Sequence, residues 1–127
     1  MTGMPIKTPG PGHPIVIVPH PGRVMVTAGG QVVANSRAAL VLREASYPPV
    51  LYVPRADADM GLLRRSETTT YCPYKGECSY FSIPAGGPRA TDAAWSYEAP
   101  HPAVAAIAGH LAFYPNRVDA IEVRPAD

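Results

Sequence analysis

This sequence is poor in cysteine, and the shortage excludes two kinds of small protein. Cys72 and Cys78 are the only cysteines in 127 residues, whereas a structural zinc site uses four Cys or His ligands at characteristic spacings. A disulfide framework needs more cysteines and an oxidising compartment. We therefore predict no bound metal or cofactor, and two reduced thiols.

An excess of charge of one sign is also absent. The chain has 11 basic and 10 acidic residues and a formal net charge of +1, and the two signs are interspersed. Nucleic-acid binding usually leaves a basic patch or stripe in the sequence. We therefore predict no nucleic-acid partner.

Long apolar runs are missing as well. No run approaches the roughly 18–20 residues that span a bilayer. Residues Met1 to Lys7 lack the apolar core of a signal peptide, and the short apolar run at 14–18 predicts a strand. These features predict a cytoplasmic protein that does not bind a membrane.

Proline, by contrast, is abundant, with 16 residues spread along the chain. Because proline breaks helix interiors, we predict short strands and tight turns rather than long helices. The length suits one domain. Residues 1–12 are rich in Pro and Gly and are predicted to be a flexible leader that contributes nothing to folding, with a single domain over 13–127.

Alternating apolar runs support a mostly β fold. Residues 23–28 and 31–34 flank Gly29-Gly30, which predicts a two-residue hairpin. Residues 38–45 fit either helix or strand, and residues 111–114 and 118–123 predict a closing hairpin. In all, the pattern predicts about eight to ten strands and one to three short helical turns.

Aromatic and reactive side chains concentrate in the second half of the chain, between Tyr71 and Tyr114. If their strands are neighbours, they form a concave aromatic wall with Lys75 at its rim, and such pockets are the usual ligand sites. Lys75 projects from a turn fixed by Pro73 and Gly76, so we expect its replacement by Ala to leave stability nearly unchanged. The candidate ligand-binding residues are Tyr71, Cys72, Tyr74, Lys75, Trp95, Tyr97, His110 and Tyr114.

Several of these residues have plainer interpretations. Cys72 beside Lys75 is either a reactive thiol or a buried cysteine. His110 is either a general base or a hydrogen-bonded structural histidine, and the aromatic residues either line a pocket or fill a core. Asp57 and Asp59 resemble a magnesium-binding pair, but their position favours acids at the start of a helical turn.

Ordered motifs between residues 13 and 123 resemble one bacterial domain-of-unknown-function family, DUF427, which carries a nucleotidyltransferase label. They are Pro21-Gly22-Arg23-Val24, Leu42-Arg43-Glu44, Tyr52-Val53-Pro54-Arg55, Thr70-Tyr71-Cys72-Pro73-Tyr74-Lys75-Gly76, Ala94-Trp95-Ser96-Tyr97, Ile107-Ala108-Gly109-His110-Leu111-Ala112-Phe113-Tyr114 and Val118-Asp119. The resemblance implies a β-tent fold, in which two antiparallel sheets meet at an angle. Relatives of that fold include zinc-bearing domains and a ligand-binding domain with an aromatic cage. This chain lacks the paired CxxC motifs of the zinc-bearing relatives, so no metal is implied.

These observations lead to three functional hypotheses. The first is a binding module for a small molecule of unknown identity, held in the aromatic pocket. The second is an enzyme that uses Cys72 or His110 with Lys75. The third is a protein-interaction module that uses a sheet face. A cavity on which Lys75 and His110 converge would support a ligand or an enzyme, whereas a flat packed sheet would support interaction. The sequence does not indicate an oligomeric state.

Overall fold

The chain folds into short strands that form two antiparallel sheets, and the computed structural model describes residues 5–125. The ten strands are β1 (Ile15–Pro19), β2 (Arg23–Ala28), β3 (Gln31–Ser36), β4 (Leu40–Glu44), β5 (Val50–Pro54), β6 (Arg64–Cys72), β7 (Gly76–Ser82), β8 (Ala94–Ser96), β9 (His110–Phe113) and β10 (Ala120–Arg124). The prediction of a mostly β domain with two antiparallel sheets is confirmed. Residues 38–45, which the sequence left open, contain strand β4.

The helical turns are all short 3₁₀ turns, and residues 5–125 contain six of them. They are Arg55–Asp57, Met60–Leu62, Pro84–Gly86, Pro88–Ala90, Pro102–Ile107 and Pro115–Arg117. Four begin with proline, whose fixed φ suits the first position of a helical turn. Across the described range, no helix has the length and apolar character needed to cross a membrane.

The larger sheet has the strand order β1-β4-β5-β9-β8-β7-β6, and the smaller has the order β10-β2-β3. The β2–β3 hairpin is confirmed, with Gly29 and Gly30 at φ +58° and +75° in the turn. The predicted closing hairpin between residues 111–114 and 118–123 is wrong, because β9 and β10 belong to different sheets. The Pro115–Arg117 turn redirects the chain, and the Asp119 N–H donates to the Thr27 carbonyl at 2.8 Å, which begins the β10–β2 pairing.

Two apolar cores lie on opposite faces of the larger sheet. Adjacent residues alternate between them, so that Leu111 and Phe113 pack in the core between the sheets while Ala112 packs in the other. The core between the sheets also contains Val24, Val26, Val33, Val53, Phe81 and Ile83. The second core contains Leu42, Tyr52, Cys78, Tyr97, Val104 and Ile107.

The described part of the predicted leader lies against the turn between β6 and β7. The Lys7 N–H donates to the Pro73 carbonyl at 3.0 Å, and Lys7 Nζ lies 6.0 Å from the centre of the Tyr74 ring. The first four residues lie outside the described range. Residues 5–12 thus make contacts with the domain that their composition did not indicate.

Candidate functional site

Four of the predicted site residues line one concavity of about 210 Å³ on the face of the larger sheet that carries the second core. They are Lys75, Trp95, Tyr97 and Tyr114. The sequence analysis missed the other five lining residues, which are Leu42, Glu44, Val50, Tyr52 and Tyr80. We call this concavity the aromatic site.

Neighbouring strands hold the aromatic rings in place. Trp95 on β8 lies opposite Tyr80 on β7, so that their side chains share one face of the sheet. The Trp95 ring meets the Tyr52 ring edge-on at 6.4 Å, and its Nε1–H donates to the Tyr52 hydroxyl at 3.3 Å. The Tyr114 ring lies 4.5 Å from Trp95 at a tilt of 45°. Trp95 is half-buried, so part of its ring is available to a ligand.

Lys75 is held by the turn from which it projects. Its N–H donates to the Cys72 carbonyl at 3.2 Å, and Gly76 follows at φ +111°. The lysine side chain lies back against the sheet, where Nζ donates to Glu44 Oε1 and lies 5.8 Å from the Tyr97 ring centre. Lys75 is only 8% exposed. The prediction that Lys75 is a surface residue is therefore wrong, and the small effect on stability predicted for its replacement loses its basis.

Glu44 is the acidic centre of the site. Its Oε1 accepts from Lys75, and its Oε2 lies 2.7 Å from His13 Nε2. Both partners are 31 residues away in sequence, one on each side, so no local pattern indicates the pairing. The Glu44 side chain is 14% exposed, and the charge of Lys75 is thereby neutralised inside the site.

Burial raises the pKa of three tyrosines of the site, Tyr52, Tyr80 and Tyr97, above the usual value of 10. It raises the pKa of Tyr80 to about 12. At neutral pH these side chains therefore carry hydroxyl groups, which can donate or accept hydrogen bonds but bear no charge. The site offers aromatic surface, hydroxyls and one neutralised ion pair.

Acid should destabilise the fold through its paired carboxyl groups. Burial raises the pKa of Glu44, but hydrogen bonds from Lys75 and His13 bring it below its usual 4.5. Burial likewise raises the pKa of Glu98, and hydrogen bonds from Arg65 and Ser79 bring it below 4.5. A lowered folded-state pKa adds stability above the unfolded-state pKa, and that stability is lost as the pH falls through the folded-state value.

We therefore expect the free energy of unfolding in urea to fall as the pH drops below about 4.5. Glu44→Gln should reduce this dependence, because one of the carboxyl groups with a lowered pKa is gone. The measurement is a series of urea titrations at constant ionic strength. A Glu44→Gln protein with an unchanged pH profile would contradict the assignment.

A larger cavity of about 810 Å³ adjoins the aromatic site and lies between the two sheets. The two concavities share Glu44, Val50 and Trp95. The remaining lining is almost wholly apolar: Val24, Val26, Tyr47, Pro48, Pro49, Leu51, Val53, Phe113, Pro115 and Ile121. The aromatic site is therefore the polar end of a longer apolar space.

The register of β5 and β9 explains why this space exists. The two strands pair at Val53–Leu111 and Pro54–His110. Toward its other end, β5 pairs only with β4, and Val50 and Leu51 line the larger cavity instead. The separation of β5 from β9 thus opens the sheet beside Trp95.

The other predicted site residues from the β6–β7 hairpin lie outside the aromatic site. Tyr71 OH lies 3.1 Å from His101 Nε2. The Tyr74 ring stacks on the His13 ring at 3.9 Å, and Cys72 is a half-buried free thiol that packs against the second core. Tyr74 therefore supports the site indirectly, because it holds the histidine that contacts Glu44.

His110 is also separate from the site. It begins β9 opposite Pro54, and its Nδ1 lies 3.1 Å from the Ala108 carbonyl oxygen. Among the residues that the structure describes, it lines neither cavity. Lys75 and His110 consequently do not converge.

The structure also places the acids that resembled a magnesium pair. Asp59 caps the Met60–Leu62 turn by accepting from the Gly61 N–H at 3.1 Å, whereas Asp57 accepts from Ser36 Oγ at 2.6 Å. The interpretation of Asp59 as an acid at the start of a helical turn is confirmed. Between residues 5 and 125, no three His, Cys, Asp or Glu side chains are grouped so that they could hold a metal ion.

Comparison with protein families identifies a family to which most of the chain matches. Residues 16–124, which include both concavities, match the family described as "Domain of unknown function (DUF427)". A search of curated proteins finds no significant match.

Proposed function

Since this chain belongs to the DUF427 family, whose description states no activity, we propose from the site itself that it is a small-molecule binding domain. Its ligand occupies the aromatic site and extends into the adjoining apolar cavity. The observation that carries the proposal is the convergence of Lys75, Trp95, Tyr97 and Tyr114 on one concavity. A mostly apolar space with a few convergent polar groups is typical of small-molecule sites.

The charges of the site favour a neutral ligand. Glu44 already neutralises Lys75, and a charged ligand would have to displace one of them at the cost of leaving the other buried and unpaired. A neutral carbonyl or hydroxyl can instead accept from a remaining Lys75 N–H, since an ammonium group has three donors. We therefore propose a ligand with an uncharged polar group on an apolar body, which stacks on Trp95.

The enzyme hypothesis with His110 receives no support from the geometry. It required Lys75 and His110 to face one cavity, and His110 contacts the Ala108 carbonyl outside both concavities. Cys72 likewise lines neither of them. The presence of a cavity beside Lys75 favours ligand binding over a flat interaction surface.

Screening by thermal shift against a library of neutral metabolites tests this function, because a ligand that binds only the folded state raises the unfolding midpoint. We expect hits whose effect Trp95→Ala abolishes. Because Trp95 is half-buried, this substitution should lower the free energy of unfolding by about 1–3 kcal/mol, below the cost for a fully buried Trp. The unfolding transition of the variant without ligand checks that it is folded for the test.

His110→Ala is the matched control, since it removes a predicted site residue that lies outside the concavity. It should retain the ligand response of the unmodified protein. If Trp95→Ala retains the response and His110→Ala abolishes it, the aromatic site is not where the ligand binds.

A further inference from the structure

A third concavity, far less apolar than the cavity between the sheets, lies at the start of β2. It has a volume of about 520 Å³ and is lined by His20, Pro21, Gly22, Arg23, Arg37, Arg124 and Pro125. Three arginines and a histidine thus line one space, and no acidic residue is among the lining residues that the structure describes. We call this space the arginine cavity.

The backbone around the arginine cavity is fixed by close contacts. The His20 N–H donates to the Ala39 carbonyl at 2.8 Å. A Cβ atom on Gly22 would lie 1.9 Å from the Arg124 carbonyl oxygen, so only glycine allows the β1–β2 turn to approach the end of β10 this closely. The cavity is therefore part of the fold rather than a gap between loose side chains.

Two of the positive charges that line the cavity lie directly opposite each other. Arg23 and Arg124 are direct partners on the antiparallel strands β2 and β10, and like charges in that position repel. Within residues 5–125 the nearest carboxylate to Arg124 is the Glu122 side chain at 3.8 Å, on the same strand and outside the cavity. An anion between the two guanidinium groups would remove this repulsion.

His20 adds an unsatisfied polar atom. Its Nε2 is buried and has no hydrogen-bond partner in the described part of the chain, although buried polar groups are normally paired. Rotation of the His20 ring toward an anion in the cavity would give that nitrogen an acceptor. The repulsion and the unpaired nitrogen are independent observations, and both point to a bound anion.

We propose that the arginine cavity binds a small molecule through a phosphate group. Guanidinium groups match the geometry of phosphate oxygens, and a phosphate monoester carries nearly two negative charges at neutral pH, which a carboxylate does not. The volume exceeds that of one phosphate and suits a small phosphorylated compound. This site is separate from the aromatic site, so the proposal does not depend on the function proposed above.

Inorganic phosphate is the probe, titrated against the full chain at constant ionic strength with chloride as the replaced anion. We expect the unfolding midpoint to rise in a saturable manner, by about 2–5 °C. Arg124→Gln should change the unfolding midpoint in opposite directions without and with phosphate, relative to the unmodified chain. Without phosphate its midpoint should rise, because the repulsion from Arg23 is gone, and with phosphate the further increase should be lost.

Arg64→Gln is the matched control, since it removes one exposed arginine from β6, away from the cavity. It should respond to phosphate like the unmodified chain. An equal phosphate response in Arg124→Gln and Arg64→Gln, or a response that chloride reproduces, would overturn the proposal. Arg23→Gln serves as a second variant with the same expectation as Arg124→Gln.

Vesicles that contain phosphatidic acid distinguish the source of the phosphate group. A chain that responds to phosphate and stays in solution with these vesicles binds a soluble phosphorylated molecule, as proposed. Co-sedimentation that Arg124→Gln abolishes would keep the phosphate chemistry but replace the soluble ligand with a lipid head group, and would overturn that part of the proposal.

Discussion

Replacement of Glu44 by Leu is expected to lower the free energy of unfolding by about 3 kcal/mol, because it leaves the buried Lys75 side chain without its counter-ion. Lys75 is 8% exposed, and the Glu44 carboxylate is its ion-pair partner. Loss of the pair also removes the hydrogen bond to His13. Urea titrations at neutral pH, monitored by Trp95 fluorescence, provide the measurement.

The double substitution Glu44→Leu with Lys75→Met is the decisive control. Replacing both partners of a buried ion pair by apolar residues of similar volume is often neutral, so the double variant should be more stable than Glu44→Leu alone. The cycle of single and double variants then gives the coupling energy of the pair. A single variant that loses less than about 0.5 kcal/mol, as at ordinary surface positions, would show that water reaches Lys75.

Gly29→Ala is expected to cost more than about 3 kcal/mol, as overpacking and strained backbone add. A Cβ atom at position 29 would lie 1.9 Å from the Ala85 carbonyl oxygen, and the residue has φ +58°. The contact is with backbone, so no flexible side chain can move aside. The Pro84–Gly86 turn or the β2–β3 hairpin would have to shift.

Gly30→Ala is the matched control for this prediction. Gly30 lies in the same turn at φ +75°, but a Cβ atom there meets nothing within 4 Å. Its substitution should therefore cost only the backbone strain of about 1–2 kcal/mol. Thermal unfolding of the two variants separates the cost of the close contact from the cost of the backbone strain. Equal losses of stability in both variants would show that the hairpin moves away from residue 85 at little cost.

The sequence was informative wherever structure is local. Gly29-Gly30 specifies its hairpin because both residues need positive φ, and Pro73 with Gly76 specifies the β6–β7 turn. The prediction of a β9–β10 hairpin failed because the pairing of β10 is not local. Turn residues at 115–117 show that the chain changes direction there, but not which sheet receives the next strand.

The aromatic site was half predictable. Sequential strands are usually neighbours in space. Nearness in sequence therefore groups four residues of the site, which are Lys75, Trp95, Tyr97 and Tyr114. Glu44 and Tyr52 reach the site only because β4 and β5 pair into the same sheet beside β9. No spacing rule relates them to Lys75, so the neutralised state of the lysine could not be inferred.

The pairing of β10 with β2 also has a consequence for how the protein folds. Val123 lies opposite Val24, so the smaller sheet closes a loop of almost the entire described chain. Such non-local pairing slows folding, and domains dominated by it fold in milliseconds to seconds. During synthesis, β2 and β3 can pair only with each other until β10 leaves the ribosome. A two-stranded ribbon of this kind has marginal stability by itself. The core between the sheets can therefore form only after synthesis of the domain is nearly complete.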